Sequence, residues 1–250
     1  MFRWALGGAS LLGGLVCLEV LAVASGQPFY PRPTEISSRL GDLFVQGRIY
    51  SSLWRSLQNL FLGFVMSLVS GIGIGLLCGR YELLERTIRP YVNALLTTPT
   101  VVFAPIYFAI FGTSRWSIVG LIIHYSVFYL IINSTTAVRA ADRGLIEMAM
   151  VFGADERQRM RLILLPSALP LIFASMRVSM ARSVKGMING EVLIAVVGLG
   201  AINQDFARVF DLSGVFAVAT IVVAVAMLLS FVLATADRRI NHWVPNVRKS

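Results

Sequence analysis

The sequence predicts an all-α, polytopic membrane bundle of about six transmembrane helices, and three observations predict it. Hydrophobic residues make up 56% of the 250 positions and charged residues only 14%, with a mean hydropathy of +0.74; a soluble domain of this size carries about 25% charged residues. The apolar residues gather in stretches near the roughly 20 residues that a hydrocarbon layer of about 30 Å asks of a helix. The connections between those stretches hold most of the arginines behind a formal net charge of +9. Nucleic acid is a poor partner for that charge, because the only lysines are Lys185 and Lys249 and the arginines form no long run. Cytoplasmic loops of a membrane protein account for it by the positive-inside rule.

The six stretches are roughly 4–25, 57–78, 92–111, 116–137, 168–197 and 213–235. Arg3 precedes the first, and Ser25-Gly26-Gln27 follows it without a small-x-small cleavage site, so it reads as a retained helix rather than a signal peptide. Glu19 within it is expected to be paired or near the outer boundary. Pro28, Pro31 and Pro33 then start an extended segment. After them Ile36, Leu40, Leu43, Phe44 and Ile49 recur at helical spacing, which predicts a short amphipathic helix on the outer membrane surface.

In the second stretch Ser67, Ser70, Gly71, Gly73 and Gly75 cluster, and Gly71-x-x-x-Gly75 lets two helix backbones approach, within one subunit or between two. The third is interrupted by Pro99 and Pro105. The Thr97 to Thr100 break frees backbone groups that serve either a translocation path or packing, which makes Thr98 and Pro99 candidate path residues. His124 in the fourth, beside Tyr125 and Tyr129, is expected to be hydrogen-bonded inside the bundle; a proton relay is the alternative. Cys17 and Cys78 sit in apolar stretches without metal spacing and read as small core residues rather than a disulfide pair.

The fifth stretch carries Arg177, Arg182, Lys185, Asn189 and Glu191. At 100° per residue, Arg182, Lys185 and Asn189 fall within about 60° of one another, whereas Arg177 and Glu191 share a different face. Charges at this depth are costly and face a cavity or a partner. Arg182, Lys185, Asn189 and Glu191 are therefore candidate path-lining or subunit-interface residues, and Arg177 is expected to anchor the helix at the inner surface.

With the N-terminus inside, the inner segments carry Arg3, then Arg80, Arg86 and Arg89, then Arg139, Arg143, Arg157, Arg159 and Arg161, then Arg238, Arg239, Arg248 and Lys249. The outer segments carry Arg32, Arg39, Arg48, Arg55, Arg115 and Arg208. The bias predicts a multi-pass protein with both termini cytoplasmic. The longest inner connection, about 139–166, predicts a helix–turn–helix. Asp142 caps the first helix, Gly153 ends it, Asp155 and Gln158 stand at capping-box spacing for the second, and Pro166 limits that second helix. Leu145, Ile146, Met148, Met150, Val151 and Phe152 make the first helix apolar, so a protein partner or lipid headgroups must cover it.

Glu147-Met148-Ala149, three residues, Gly153, nine residues, then Ile163-Leu164-Leu165-Pro166 resembles the EAA loop of ABC importer permeases, with Met148 in place of an alanine. The resemblance covers about 30–240 and is nearest to the nitrate/sulfonate/taurine group. Pro31-Arg32-Pro33-Thr34, the run from Ser56-Leu57 to Gly79-Arg80, Leu84-Glu85-Arg86 to Pro90, Leu95-Leu96-Thr97-Thr98-Pro99, and Glu191 with Gly198-Leu199-Gly200 late in the fifth span are similar to elements of that group. Ser183-Val184 lacks a neighbouring tryptophan common there, and Ala109-Ile110-Phe111-Gly112 replaces a Trp-Phe-Gly; both departures bear on the substrate.

What the resemblance implies is a type I ABC importer permease: one transmembrane domain over 1–250, with 139–166 as a cytoplasmic coupling loop in which Glu147, Met148, Ala149, Gly153, Ala154, Ile163, Leu165 and Pro166 dock an ATPase. It implies a homodimer with two ATPase subunits, a periplasmic or lipid-anchored binding protein, a site in the inner (plasma) membrane, and a small anionic organic substrate such as a sulfonate, taurine or nitrate. No Gly-x4-Gly-Lys-Ser/Thr phosphate loop occurs, so ATP is expected on the partner and no cofactor on this chain. An ion-gradient-driven transporter would show inverted repeats, and none is visible. An intramembrane enzyme would need a base beside a nucleophile; no serine stands out beside His124, and the chain is read as a non-enzyme.

Overall fold

The computed structural model describes residues 13, 14, 16–24, 30–194 and 197–240. Among these every regular element is helical. Helix α1 covers the described residues of 13–24, and α2 runs Pro33–Val45, α3 Arg48–Arg80, α4 Glu82–Thr97, α5 Ala104–Phe111, α6 Arg115–Arg139, α7 Arg143–Val151, α8 Glu156–Arg159, α9 Leu165–Ile194, α10 Gly198–Arg208 and α11 Leu212–Ile240. Among the described residues four helical stretches are long and apolar enough to cross a bilayer: Arg48–Arg80, Arg115–Arg139, Glu156–Ile194 and Leu212–Arg239. A fifth is the pair Glu82–Thr97 and Thr100–Phe111, bent by 99°. Half of the expected first span, with Arg3 and Ser25-Gly26-Gln27, lies outside the described residues.

Helix α6 is the hub, packed between α3 and α9 and more buried than either. Its start is capped by Ser114, whose hydroxyl accepts from the Trp116 amide at 3.3 Å. The contact with α3 follows the i+4 row Gly63, Ser67, Gly71, Gly75 and Gly79. A β-carbon on Gly71 would lie 2.7 Å from Leu130 Cβ, and one on Gly75 would lie 2.5 Å from Ser134 Cβ. The Gly71 and Gly75 spacing therefore serves packing within this chain. On the other side Ser126 and Ser183 share a hydrogen bond of 2.5 Å, and a β-carbon on Gly186 would meet the Ile122 backbone at 2.9 Å. Leu60, Phe64, Ile118, Ile122, Met180, Val184 and Met187 fill the core between the three helices.

Several elements differ from the sequence expectation. Helix α3 starts at Arg48, well before residue 57, because its first turns bury Ile49, Ser56 and Asn59 against neighbours. Helix α2 does form, but its apolar residues Ile36, Leu40 and Leu43 pack on Leu199, Ile202, Val218 and Ile221 rather than on lipid. Glu19 accepts from the Thr34 amide and hydroxyl at 3.2 and 2.8 Å and so completes the first turn of α2. Cys78 is buried, whereas Cys17 is exposed and is not a core residue; both are free thiols. Pro166 does not end a helix. The turn Met160–Leu164 is a π-turn, in which the Leu165 amide reaches back to the Met160 carbonyl, and the chain continues unbroken into α9. A widened turn of this kind absorbs a proline that lacks a donor.

Candidate functional site

Most of the residues singled out by sequence lie in two regions, the α7 turn and one face of α9. At the first, Asp142 Oδ1 accepts from the Gly144 amide at 2.8 Å and starts α7. The helix ends where Gly153 takes φ +76°, with Gly153 N bonded to Met150 O at 3.0 Å and Ala154 N to Ala149 O at 2.9 Å. That pair of bonds is the Schellman arrangement, and the positive φ is why glycine stands there. Asp155 and Gln158 exchange backbone-to-side-chain bonds at 2.7 and 2.8 Å, which starts α8.

Glu147 is exposed on α7, and the apolar side chains beside it are exposed too: Met148 is 51% and Phe152 83% accessible. Leu145, Met148, Ala149 and Phe152 of α7 face Leu162, Ile163 and Pro166 across an apolar groove of about 460 Å³. Six of the eight expected docking residues are thus on α7, its cap or this groove's walls; Ala154 and Leu165 are half-buried at its ends. The α7 turn is fixed to the bundle by an ion pair between Arg80, the last residue of α3, and Glu156, the first of α8. The sequence reading missed this pair, because nothing in the spacing of two residues so distant reveals it.

On α9 the structure brings Arg182 and Asn189 together with two tyrosines of α6. The Arg182 guanidinium lies over the Tyr129 ring at 4.6 Å, and the Asn189 amide donates to the Tyr125 hydroxyl at 2.5 Å. Lys185 between them is exposed. Arg177 is elsewhere, ion-paired with Asp237 near the end of α11, as an anchor would be.

Glu191 is not on an open wall. It is fully buried, with Oε2 accepting from the Ser56 hydroxyl at 2.8 Å and the Gly200 amide at 3.1 Å, while the Leu199 amide donates to Ser56 Oγ at 2.9 Å. Gly198-Leu199-Gly200 is likewise not late in the fifth span. It opens the separate helix α10, and Glu191 sits at that helix's positive end. Gly198 has φ +81°, and a β-carbon there would lie 2.2 Å from Glu191 Cδ.

The break before α5 is a true corner. Thr98 and Pro99 are extended, with Thr98 ψ +133° and Pro99 ψ +114°, and Thr98 Oγ1 donates to the Ala94 carbonyl at 2.7 Å. His124 ties the far limb to α6: its Nδ1 shares a 3.0 Å hydrogen bond with the Tyr107 hydroxyl, and its ring lies 4.4 Å from Phe103. It is thus hydrogen-bonded inside the bundle. Among the described residues no cluster of His, Cys, Asp and Glu is arranged for a metal.

At the other end, three of the arginines assigned above to the outer connections are ion-paired. Arg32 pairs with Glu35, Arg39 with Asp211 at 3.0 Å, and Arg48 with Asp205 at 2.7 Å. Those cations are matched by carboxylates.

Comparison with known proteins places this geometry in context. Residues 71–242 match the family model described as "Binding-protein-dependent transport system inner membrane component". A formylaminopyrimidine transport permease of Halalkalibacterium halodurans is 32% identical over 204 residues, 81% of each chain. A putative aliphatic sulfonates transport permease of Bacillus subtilis is 27% identical over 213 residues, 85% of this chain and 77% of that one. Among solved structures, an inward-facing form of the MetNI methionine ABC transporter shares the fold with a TM-score of 0.68 at 21% identity, covering 77% of this chain and 95% of that chain.

Proposed function

Because this chain belongs to the family of binding-protein-dependent transport system inner membrane components, the permease subunits of ABC importers, we propose that α7 is the lever by which a separate ATPase drives it. The observation that carries this reading is the exposed apolar face of α7, with Met148 and Phe152 uncovered beside Glu147 at one end of the bundle. Such a patch outside a bilayer calls for a covering partner. ATP is held by that partner, and the α7 end faces the cytoplasm. The ion-gradient alternative is not favoured by the family match, although the bent α4 and α5 pair is a feature it would share.

Two copies of the chain form the path, with α9 and α6 facing it. Arg182, Lys185 and Asn189, backed by Tyr125 and Tyr129, then offer cations and aromatic faces to a small anionic organic solute delivered by a binding protein. Thr98 and Pro99 stand at the corner that such a path would pass. A second reading, an uncharged heteroaromatic solute, rests on the tyrosine pair and on the pyrimidine named for the Halalkalibacterium relative.

The test is reconstitution of the permease with its ATPase and binding protein. Glu147→Arg should release the ATPase on co-purification and abolish ATP-driven uptake; retained, coupled ATPase would overturn the docking assignment. Lys185→Ala should lower uptake of an anionic solute at least several-fold without lowering membrane insertion. Uptake unchanged for an anion and lowered for a neutral heterocycle by Tyr125→Ala would establish the second reading. A cysteine at Phe152 that reacts with an impermeant label in intact cells would overturn the orientation.

A further inference from the structure

At the α7 end of the bundle a cavity of about 240 Å³ lies between α3, α4 and α6, distinct from the α7 groove and from the tyrosine-lined face of α9. Its polar end is built from Glu85, Arg89 and Arg139, with Cys78 beneath them. Glu85 is 8% exposed and accepts from Arg89 at 3.0 Å, while Arg139 stands 3.5 Å away on its other oxygen. Two guanidinium groups therefore share one carboxylate, which leaves one positive charge unmatched. Both arginines keep part of their side chains uncovered, 64% for Arg89 and 38% for Arg139. Their donors are not exhausted, since each guanidinium carries five.

The other end of the cavity is apolar. Val92 and Ile131 are buried there, with Ile88 and Ile132 packed against them. Arg139 is the last residue of α6, and Ile132 lies two turns back along the same helix, about 10 Å deeper at 1.5 Å per residue. The walls thus change from cationic to hydrocarbon over the depth at which a bilayer changes from headgroup to acyl chain. A free inorganic anion has no use for the apolar half, and a neutral hydrocarbon has no use for the surplus cation. We infer that this cavity seats the phosphate headgroup and the first methylenes of an anionic phospholipid from the leaflet at the α7 end. Basic pockets between membrane helices recognise such headgroups by the same combination of charge and depth. The inference requires that α6 cross a bilayer, and it is independent of the solute carried.

The test is native mass spectrometry of the full-length chain released from nanodiscs of phosphatidylglycerol and phosphatidylcholine. Wild type should retain one phosphatidylglycerol in preference to phosphatidylcholine. Arg89→Gln should lower that retention at least fivefold, and because Arg89 is exposed its loss should leave thermal unfolding in detergent nearly unchanged. Thr136→Trp fills the cavity without altering charge and should lower retention equally. Equal retention by both variants and wild type overturns the proposal. Displacement of the lipid by equimolar glycerol phosphate would make this a site for a free anion, and a change in self-association in place of lipid retention would make it a contact between copies; either outcome also overturns it.

Discussion

The Ser56 hydroxyl donates to the Glu191 carboxylate at 2.8 Å, although 135 positions separate the two residues. Both are fully buried. This bond closes the junction of α3, α9 and α10, because the same carboxylate and hydroxyl accept the Gly200 and Leu199 amides at the start of α10.

Glu191→Ala should therefore destabilise the protein by about 3 kcal/mol, since its two hydrogen bonds are lost and both donors stay buried, at about 1–3 kcal/mol each. Glu191→Gln, which keeps one acceptor, should cost less than half of that. Ser56→Ala and Glu191→Ala together should cost less than the sum of the two, as partners in one network do. Chemical unfolding in detergent micelles measures all four variants.

The row of small residues on α3 makes a position-specific forecast. Gly75→Leu must push Ser134 and the Ile131 backbone aside and should cost about 3 kcal/mol or prevent insertion. Gly73→Ala, two residues away with nothing within 4 Å of an added β-carbon, should be neutral or slightly stabilising in a helix interior. Thermal unfolding followed by tryptophan fluorescence separates them; equal effects would show that the α3 and α6 contact is not what the small residues serve.

The Arg80 and Glu156 pair joins the end of α3 to the start of α8. Glu156 is largely exposed, so breaking the pair should change stability by less than about 1 kcal/mol. Its larger effect should be on coupling. Arg80→Glu should lower ATP-driven uptake several-fold, and adding Glu156→Arg should recover much of it.

Pro99 removes one donor from the α4 and α5 corner. Pro99→Ala should let α4 extend and reduce the bend of 99°. Spin labels at Tyr91 and Ile110, read by double electron–electron resonance, should then move apart; an unchanged distance would assign the corner to the His124 and Tyr107 tie instead.

Much of this architecture is legible in the sequence, and the legible parts are local. Asp142, Gly153, Asp155 and Gln158 act within a few residues of themselves, so their spacing alone defines the α7 turn. Length and hydropathy locate α3, α6, α9 and α11 because lipid imposes a length on each. What the sequence hides is pairing across the bundle. Helical periodicity puts Glu191 on a face but not against Ser56, and it puts Ile36 and Leu40 on an apolar stripe without telling lipid from α10 and α11. The serines at 175, 179 and 183, at i+4 spacing, were a readable signal for the α9 and α6 contact, of the same kind as the glycine row on α3. The continuation through Pro166 was less readable, because a widened turn leaves no compositional mark.

That widened turn has a geometric cost for anything fused to it. With one more residue in its hydrogen-bonded loop than an α-helix has, Met160–Leu164 offsets the angular phase of everything upstream by about 100° relative to a regular helix. Deleting one residue there would leave the caps of α7 and α8 chemically intact yet aim Met148 and Phe152 around a quarter-circle from their present bearing. The direction in which the apolar face points is thus written in a residue count, and a chain with flawless contacts but the wrong count would turn that face away from its present bearing.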